Sequence, residues 1–528
     1  MHADVVLRGG SIITFDPDQP RAAAMAIGGG HILALGGGDD LPALHGPATR
    51  VIDTSGCAIV PGFVDAHIHF GQYALGRQQI NLDGATSLEA GVQQVRAFAE
   101  QLTDGRWLRG RGWDRNRWGR LPTASDLDRA VGTRPAALSS HDGHSLWLNT
   151  AALQAVGINR ATQAPPGGVI ERDANGEPSG VLLENAQDLV RRRMPEPSLA
   201  ELTDALRQAL PIAAAAGLTG LHNLEDERSL AAFQGLEARG ELTLRVYHGI
   251  RRGQLRKARE LRLSTGTGTD WLRIGPLKLF ADGALGSRTA HLLEPYEHST
   301  DGYRGVPTLE PDELVDDMRE AARVGLDVAV HAIGDAAVRS VLDAVERTRR
   351  LERAAQQRMV RIEHAQLVHP DDVPRFASLG VIASMQPIHA IADWRAADAH
   401  WGERARYGYA WRSLLDAGAR LAFGTDAPVE RLEPLASLHA AATRRGLDDL
   451  PPAGWYSEQR ITLSEAVRAY TLGSARAERA LDRRGSLSKG KDADLVVLRP
   501  DPFGLEPDAL RDTRIALTMV GGRIVHEG

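Results

Sequence analysis

Two histidines one residue apart, His67 and His69, stand in the apolar stretch Pro61-Gly62-Phe63-Val64-Asp65-Ala66-His67-Ile68-His69-Phe70. If 64–69 continues as a strand, alternation puts both imidazoles on one face, where they can reach a single cation. Imidazole ligates zinc and also suits iron, nickel and copper. Later apolar runs carry Lys278 (within 275–283) or end in His331 (326–331), His364 (360–364) and Asp426 (421–426). Singly, each has an ordinary reading: His331 or His364 as a core histidine, Lys278 as the partner of Asp282, and Asp426 as the cap of a helix opened by Ala427-Pro428. Four histidines, a lysine and an aspartate at equivalent places instead point to a metal centre.

The elements that must position these groups follow from periodicity. After His69, helical and strand-like segments alternate. Helical spacing covers 88–102 and 199–216, and strands are predicted at 107–113, 136–140, 218–222, 242–248, 274–280, 327–331, 360–364, 381–385 and 421–424. Repeated β-then-α units imply a parallel sheet, and eight of them imply an α/β TIM barrel, whose catalytic groups sit at the C-terminal ends of the strands. Both chain ends differ, with short glycine-punctuated strands at 4–8, 11–14, 24–27, 31–35, 50–53, 58–60, 493–498, 515–520 and 523–526. The expected organisation is a small β-sandwich domain from residues 1–60 plus 480–528 around a (β/α)8 barrel at 61–479. A hairpin predicted at 167–183, turning at Asn175-Gly176 as a tight two-residue connection, belongs to an expected insertion around 80–190.

Composition bounds the rest. A chain of 528 residues suits a barrel plus a smaller domain, and 43% hydrophobic with 25% charged residues reads as globular. A net charge of -6 gives no footprint for nucleic acid or an anionic membrane. The single cysteine, Cys57, excludes an internal disulfide, and the chain shows neither the basic start of a signal peptide nor an apolar run long enough to span a membrane. A cytoplasmic enzyme acting on a small molecule is expected.

The motif around His67 and His69, the strand-end His331 and His364, Gly424-Thr425-Asp426 and the closing Gly490-Lys491-Asp492-Ala493-Asp494-Leu495-Val496 resemble the metal-dependent amidohydrolase superfamily. The stretches 278–287, 330–335, 362–365 and 384–387 resemble its branch containing N-substituted formamide deformylase. The resemblance implies that His67, His69 and Asp426 hold one divalent metal and His331 and His364 a second, most simply zinc. Lys278, carboxylated on its amine, would bridge them. It also implies hydrolysis of a carbon–nitrogen bond by metal-activated hydroxide, with Asp426 as the catalytic proton shuttle, and commonly a homodimer. Substrate contacts are expected from His141, Asp142 and His144 with the nearby Trp147 and Asn149, from Asp282, and from Gln386, His389, Trp394 and Arg404 on a lid-like loop. Trp113, Trp118, Trp147 and Trp394 suggest an apolar or aromatic substituent. Competing readings are a mononuclear deaminase of a nucleobase-like heterocycle, a non-catalytic hydrolase-like scaffold, and a hydrolase of esters or lactones.

Overall fold

The computed structural model describes residues 2–37, 41, 44–102, 106–140, 145–165 and 167–528. The chain divides into two compact units, Met1–Tyr73 with Leu206–Gly528, and Ala74–Ala205.

The first unit holds an eight-stranded parallel sheet: β1 Phe63–Ile68, β2 Leu218–Asn223, β3 Arg245–Arg251, β4 Leu272–Phe280, β5 Val328–Ala332, β6 Val360–His364, β7 Ile382–Met385 and β8 Arg420–Phe423. Consecutive strands are hydrogen-bonded neighbours, with helices such as Glu227–Ala238, Pro311–Val324 and Asp335–Leu351 between them. These strands are buried along their length, as the strands of a closed parallel barrel are, and the polar residues they carry, such as Arg361 and Glu363, meet partners inside the barrel. The Asp426 N–H donates to the His67 carbonyl (2.7 Å) and the His69 N–H to that of Ala427 (2.9 Å), lacing the end of β8 to the end of β1 and closing the TIM barrel. Gly424 is required at that seam, because a Cβ there would lie 2.5 Å from the His67 backbone nitrogen.

Both termini build one further eight-stranded sheet in the order Arg523–Glu527, Arg514–Val520, Leu495–Arg499, Ala58–Pro61, Val5–Ile13, Arg21–Gly28 and His31–Gly36, with Arg50–Asp53 also pairing on Val5–Ile13. Its core joins Leu7, Ile12, Met25 and Ile59 from the N-terminus to Leu495, Val497 and Met519 from the C-terminus. The closing Asp-Ala-Asp motif ties this sheet to the barrel. Asp494 accepts from Arg245 Nε and Nη2 on β3 at 2.6 and 3.0 Å and from the Gly521 N–H at 2.7 Å.

The second unit carries a six-stranded sheet ordered Gly168–Arg172, Pro178–Glu184, Ser145–Leu148, Ala136–Ser140, Leu108–Trp113 and Ile80–Asn81. Its hairpin differs from the expected two-residue turn. The ladder stops at Arg172 opposite Pro178, Asp173 exchanges a hydrogen bond with Glu177, and only Gly176 has positive φ, 80°. Asp173 Oδ1 accepts from the Asn175 and Glu177 N–H groups, making a longer turn cheaper than the mirror-image one. Gly176→Ala should lower the unfolding free energy of this unit by about 1 kcal/mol through that φ alone, measured as a fall in the denaturation midpoint.

Candidate metal centre

Local structure fixes the two halves of the β1 motif before any side chain reaches outward. Asp65 is fully buried; its Oδ1 accepts from the N–H groups of His67 (3.1 Å) and Thr425 (3.0 Å), and its Oδ2 from the Thr425 hydroxyl (2.5 Å). One carboxylate thus sets the backbone of both His67 and the Asp426 segment. Beyond His69 the chain turns straight into the helix Phe70–Arg77, whose first N–H groups are taken by Asn223 Oδ1 and both Glu225 oxygens, each at 2.8 Å. At the other side of the mouth, Asp282 accepts from the backbone of His291, Ile333 and Gly334, joining the end of β4 to the end of β5.

Asp426 is the meeting point. Its Oδ1 lies 3.2 Å from His69 Nε2 and 3.6 Å from His67 Nε2, and its Oδ2 lies 3.8 Å from His389 Nε2. His67, His69 and Asp426 offer three ligand atoms within 4.8 Å of one another, and so do His364, His389 and Asp426. The His364 ring packs 4.8 Å from that of His67 and 4.6 Å from that of His331, centroid to centroid.

The hydrogen-bond partners decide which nitrogens are free. His67 Nδ1 faces Glu363 Oε2 at 2.7 Å, and an ionised carboxylate only accepts, so the proton sits on Nδ1 and the Nε2 lone pair faces Asp426. His364 Nδ1 likewise donates to Gln386 Oε1 at 2.8 Å, leaving Nε2 unprotonated. His331 donates Nε2–H to the Gly283 carbonyl at 2.8 Å, leaving Nδ1 with the lone pair.

Two acceptors facing each other across 3.6 Å, with Asp426 Oδ1, His69 Nδ1, His389 Nε2 and Lys278 Nζ all buried and without hydrogen bonds among the described residues, suit a cation. An imidazole-rich, carboxylate-bearing donor set of this kind suits zinc and its neighbours.

The electrostatics agree. Burial, with Lys278 adding to it, lowers the pKa of His67 to about 4 and that of His331 to about 3, and burial carries His364 well below its ordinary value; all three are neutral at physiological pH. Burial opposes the charge of Asp426, but the surrounding imidazoles outweigh it and hold its pKa well below the ordinary value. Burial brings the Lys278 amine down to about 8, although Glu363 and Asp426 pull the other way. Beneath the site, Glu363 is held ionised against its own burial by Arg361, whose Nε lies 2.6 Å away, and by His67. Arg361 Nη1 in turn meets His222 Nδ1 at 2.8 Å.

The six expected metal residues all lie in the first unit, and His67, His69 and Asp426 group as expected, whereas the second group differs. His389, expected among substrate contacts, joins His364 at Asp426, while His331 is swung toward the Gly283 carbonyl. Gln386 is engaged in orienting His364, and Asp282 in binding three backbone N–H groups. Arg404 donates to the carbonyls of Trp401, Glu294 and Pro295, so its guanidinium braces a loop. The expected lid-like loop is in fact the helix Pro387–Trp401, opened by Pro387 in its first turn, and Trp394 on it stacks under Arg395 at 4.3 Å. His141, Asp142 and His144 lie outside the described residues. Trp113, Trp118 and Trp147 pack on one another at 5.8–6.3 Å with every indole N–H on a backbone carbonyl, which makes them core of the second unit. Asn149 there brackets the backbone of Ala136, Gly132 and Arg134. Glu363, Arg361 and His222 escaped the sequence reading. Their only signal was the charged pair set inside the apolar strand 360–364, where an inward charge needs a partner.

Comparison with known proteins accords with this geometry. Residues 50–526 match the amidohydrolase family. The chain is 33% identical to YtcJ of Bacillus subtilis, covering 99% of both chains, and 28% identical to N-substituted formamide deformylase of Arthrobacter pascens, covering 99% of this chain and 98% of that one. The crystal structure of an uncharacterized metal-dependent hydrolase from Pyrococcus furiosus superposes with a TM-score of 0.79 at 31% identity, over 94% of this chain and 99% of that one. With the barrel, the histidines and aspartate at its strand ends and a match over nine-tenths of its length, the chain belongs to the amidohydrolase family.

Proposed function

We propose that the protein hydrolyses a carbon–nitrogen bond of an amide or formamide, using two divalent cations, zinc by preference, held at the mouth of the barrel. The observation that carries this reading is the convergence of three imidazole nitrogens on the Asp426 carboxylate within 3.2–3.8 Å, with a buried lysine amine that has no hydrogen bond among the described residues. His67, His69 and Asp426 would hold one cation, and His364 the other, with His389 Nε2 or His331 Nδ1 beside it. Cations so held supply Lewis-acid polarisation of a carbonyl and hydroxide from water near neutral pH.

The chain's own groups have distinct tasks. Asp426, the carboxylate that His67, His69 and His389 face together, takes the proton from attacking water and passes it to the leaving nitrogen. Glu363 keeps the His67 proton on Nδ1. Gln386 does the same for His364, and the Gly283 carbonyl fixes His331 with its Nδ1 outward. Lys278, with an amine pKa brought to about 8 by burial, is partly neutral at physiological pH. A neutral amine adds carbon dioxide to give an anionic carbamate with release of a proton, and that anion would bridge two cations whose other ligands are mostly neutral. The relation to N-substituted formamide deformylase supports formamides as the first substrates to assay.

Metal content per chain, measured on protein purified without chelator, tests the reading. About two equivalents are expected, with Lys278→Ala falling to about one or less and losing activity by about a hundredfold or more, partly restored by added formate or propionate. A full metal complement with normal turnover in Lys278→Ala overturns the bridged site.

A further inference from the structure

Arg251 is the last residue of β3, at the C-terminal end of the barrel where Lys278 and His331 also lie, and it pairs in register with Lys278 of β4. Strand alternation places it on the inward side with Tyr247, whose ring packs on the interior His222 at 5.0 Å. Its guanidinium lies 5.9 Å from the centroid of the Phe280 ring, which also stands 4.9 Å from Lys278 Nζ and 5.3 Å from the His331 ring. Phe280 therefore connects Arg251 to the candidate metal centre, and it is 37% exposed despite its size.

The state of Arg251 is what stands out. The other arginine of this strand, Arg245, is closed off by Asp494, and the interior Arg361 is closed off by Glu363. Arg251 has no carboxylate within ion-pair distance and no side-chain hydrogen bond among the described residues, although it is half-buried and its Nε is fully shielded from solvent. Half-burying a guanidinium without an anion is unfavourable, and an aromatic face offsets only part of that cost. A planar fork of donors at a ligand-binding mouth matches a carboxylate, which it can hold through two parallel hydrogen bonds.

We infer that Arg251 and Phe280 form a substrate subsite for an apolar group bearing a carboxylate. The hydrolysed amide then belongs to the class of N-acylated or N-formylated amino acids with apolar side chains. Arg251 takes the carboxylate, the Phe280 ring packs on the apolar portion, and the scissile amide is directed toward Asp426. The assignment of the scissile bond rests on the function proposed above; the anion subsite itself does not.

The test is calorimetric binding of 3-phenylpropanoate and its uncharged counterpart 3-phenylpropan-1-ol to the metal-loaded protein. Wild type should bind the acid at least about tenfold more tightly than the alcohol, as expected for a charge-assisted pair. Arg251→Met should bring the ratio to about one, and Arg251→Lys, which keeps the charge without the fork, should fall between. Thermal melting and metal content of both variants establish that each is folded and loaded. A ratio near one in wild type, no detectable binding of the acid, or an acid preference that survives Arg251→Met each overturns the subsite, the last by placing the carboxylate on the cations instead. If the metal-loaded protein cleaves no amide, the proposed reaction fails while the binding comparison still reports on Arg251, so the two failures are distinguishable.

Discussion

Asp426→Asn is expected to lower kcat/KM by about a thousandfold while leaving the fold intact. The substitution preserves shape but removes both the negative charge facing His67, His69 and His389 and the carboxylate assigned to carry the proton. The backbone accepts it readily. Asp426 has φ of 59°, in the left-handed region that asparagine, like aspartate, adopts more readily than most residues, and the segment is held by the Asp426 N–H to the His67 carbonyl and by Asp65 on Thr425. Stability should therefore change little, and metal affinity should fall because an anionic ligand becomes neutral. Steady-state kinetics on an active amide, with unfolding midpoints and metal content on the same preparations, separate these effects. Activity within tenfold of wild type would remove Asp426 from the role of proton shuttle.

The parts of the molecule legible in the sequence are those where one residue's environment is set by its own strand. A buried parallel strand is a run of apolar residues that ends where the barrel opens, so His331 after 328–330 and Asp426 after 421–425 announce both the strand and its C-terminal end. The glycine-punctuated ends were readable for the same local reason, and their strands do share one sheet. Illegible were the features made by pairing across the fold. Glu363 meets His67 across 296 positions and Arg361 meets His222 across 139, so no spacing could reveal that these charges satisfy one another inside the barrel. Asp65 read as part of a motif, and only the closed seam between β8 and β1 gives its carboxylate the Thr425 partner that explains it. Exposed-looking polar and aromatic residues after strand ends misled in the opposite direction. Arg404, Asp282 and the three tryptophans of the second unit spend their polar atoms on backbone groups, which local sequence does not distinguish from groups left free for a ligand.

Glu363→Ala should destabilise the protein by about 3–5 kcal/mol, because it leaves Arg361 buried without its counter-charge. Glu363 is fully buried and Arg361 nearly so; removal of the carboxylate strips Arg361 Nε of its 2.6 Å partner while Nη1 keeps only His222. The same change frees His67 Nδ1, so the imidazole loses the bond that keeps its Nε2 lone pair toward Asp426, and metal affinity falls as well, by about tenfold to a hundredfold. Two further variants separate charge from hydrogen bonding. Glu363→Gln can still accept from His67 Nδ1 through its amide oxygen, so it should retain much of the metal affinity while losing most of the electrostatic stabilisation of Arg361. Arg361→Met combined with Glu363→Gln removes both charges, and should recover a large part of the stability lost in Glu363→Ala, since replacing a whole buried pair costs far less than breaking it. The readout is the denaturant midpoint at unchanged slope, with metal stoichiometry beside it. Glu363→Ala with a wild-type midpoint and full metal would mean that the chain beneath the barrel mouth supports neither the fold nor the centre above it.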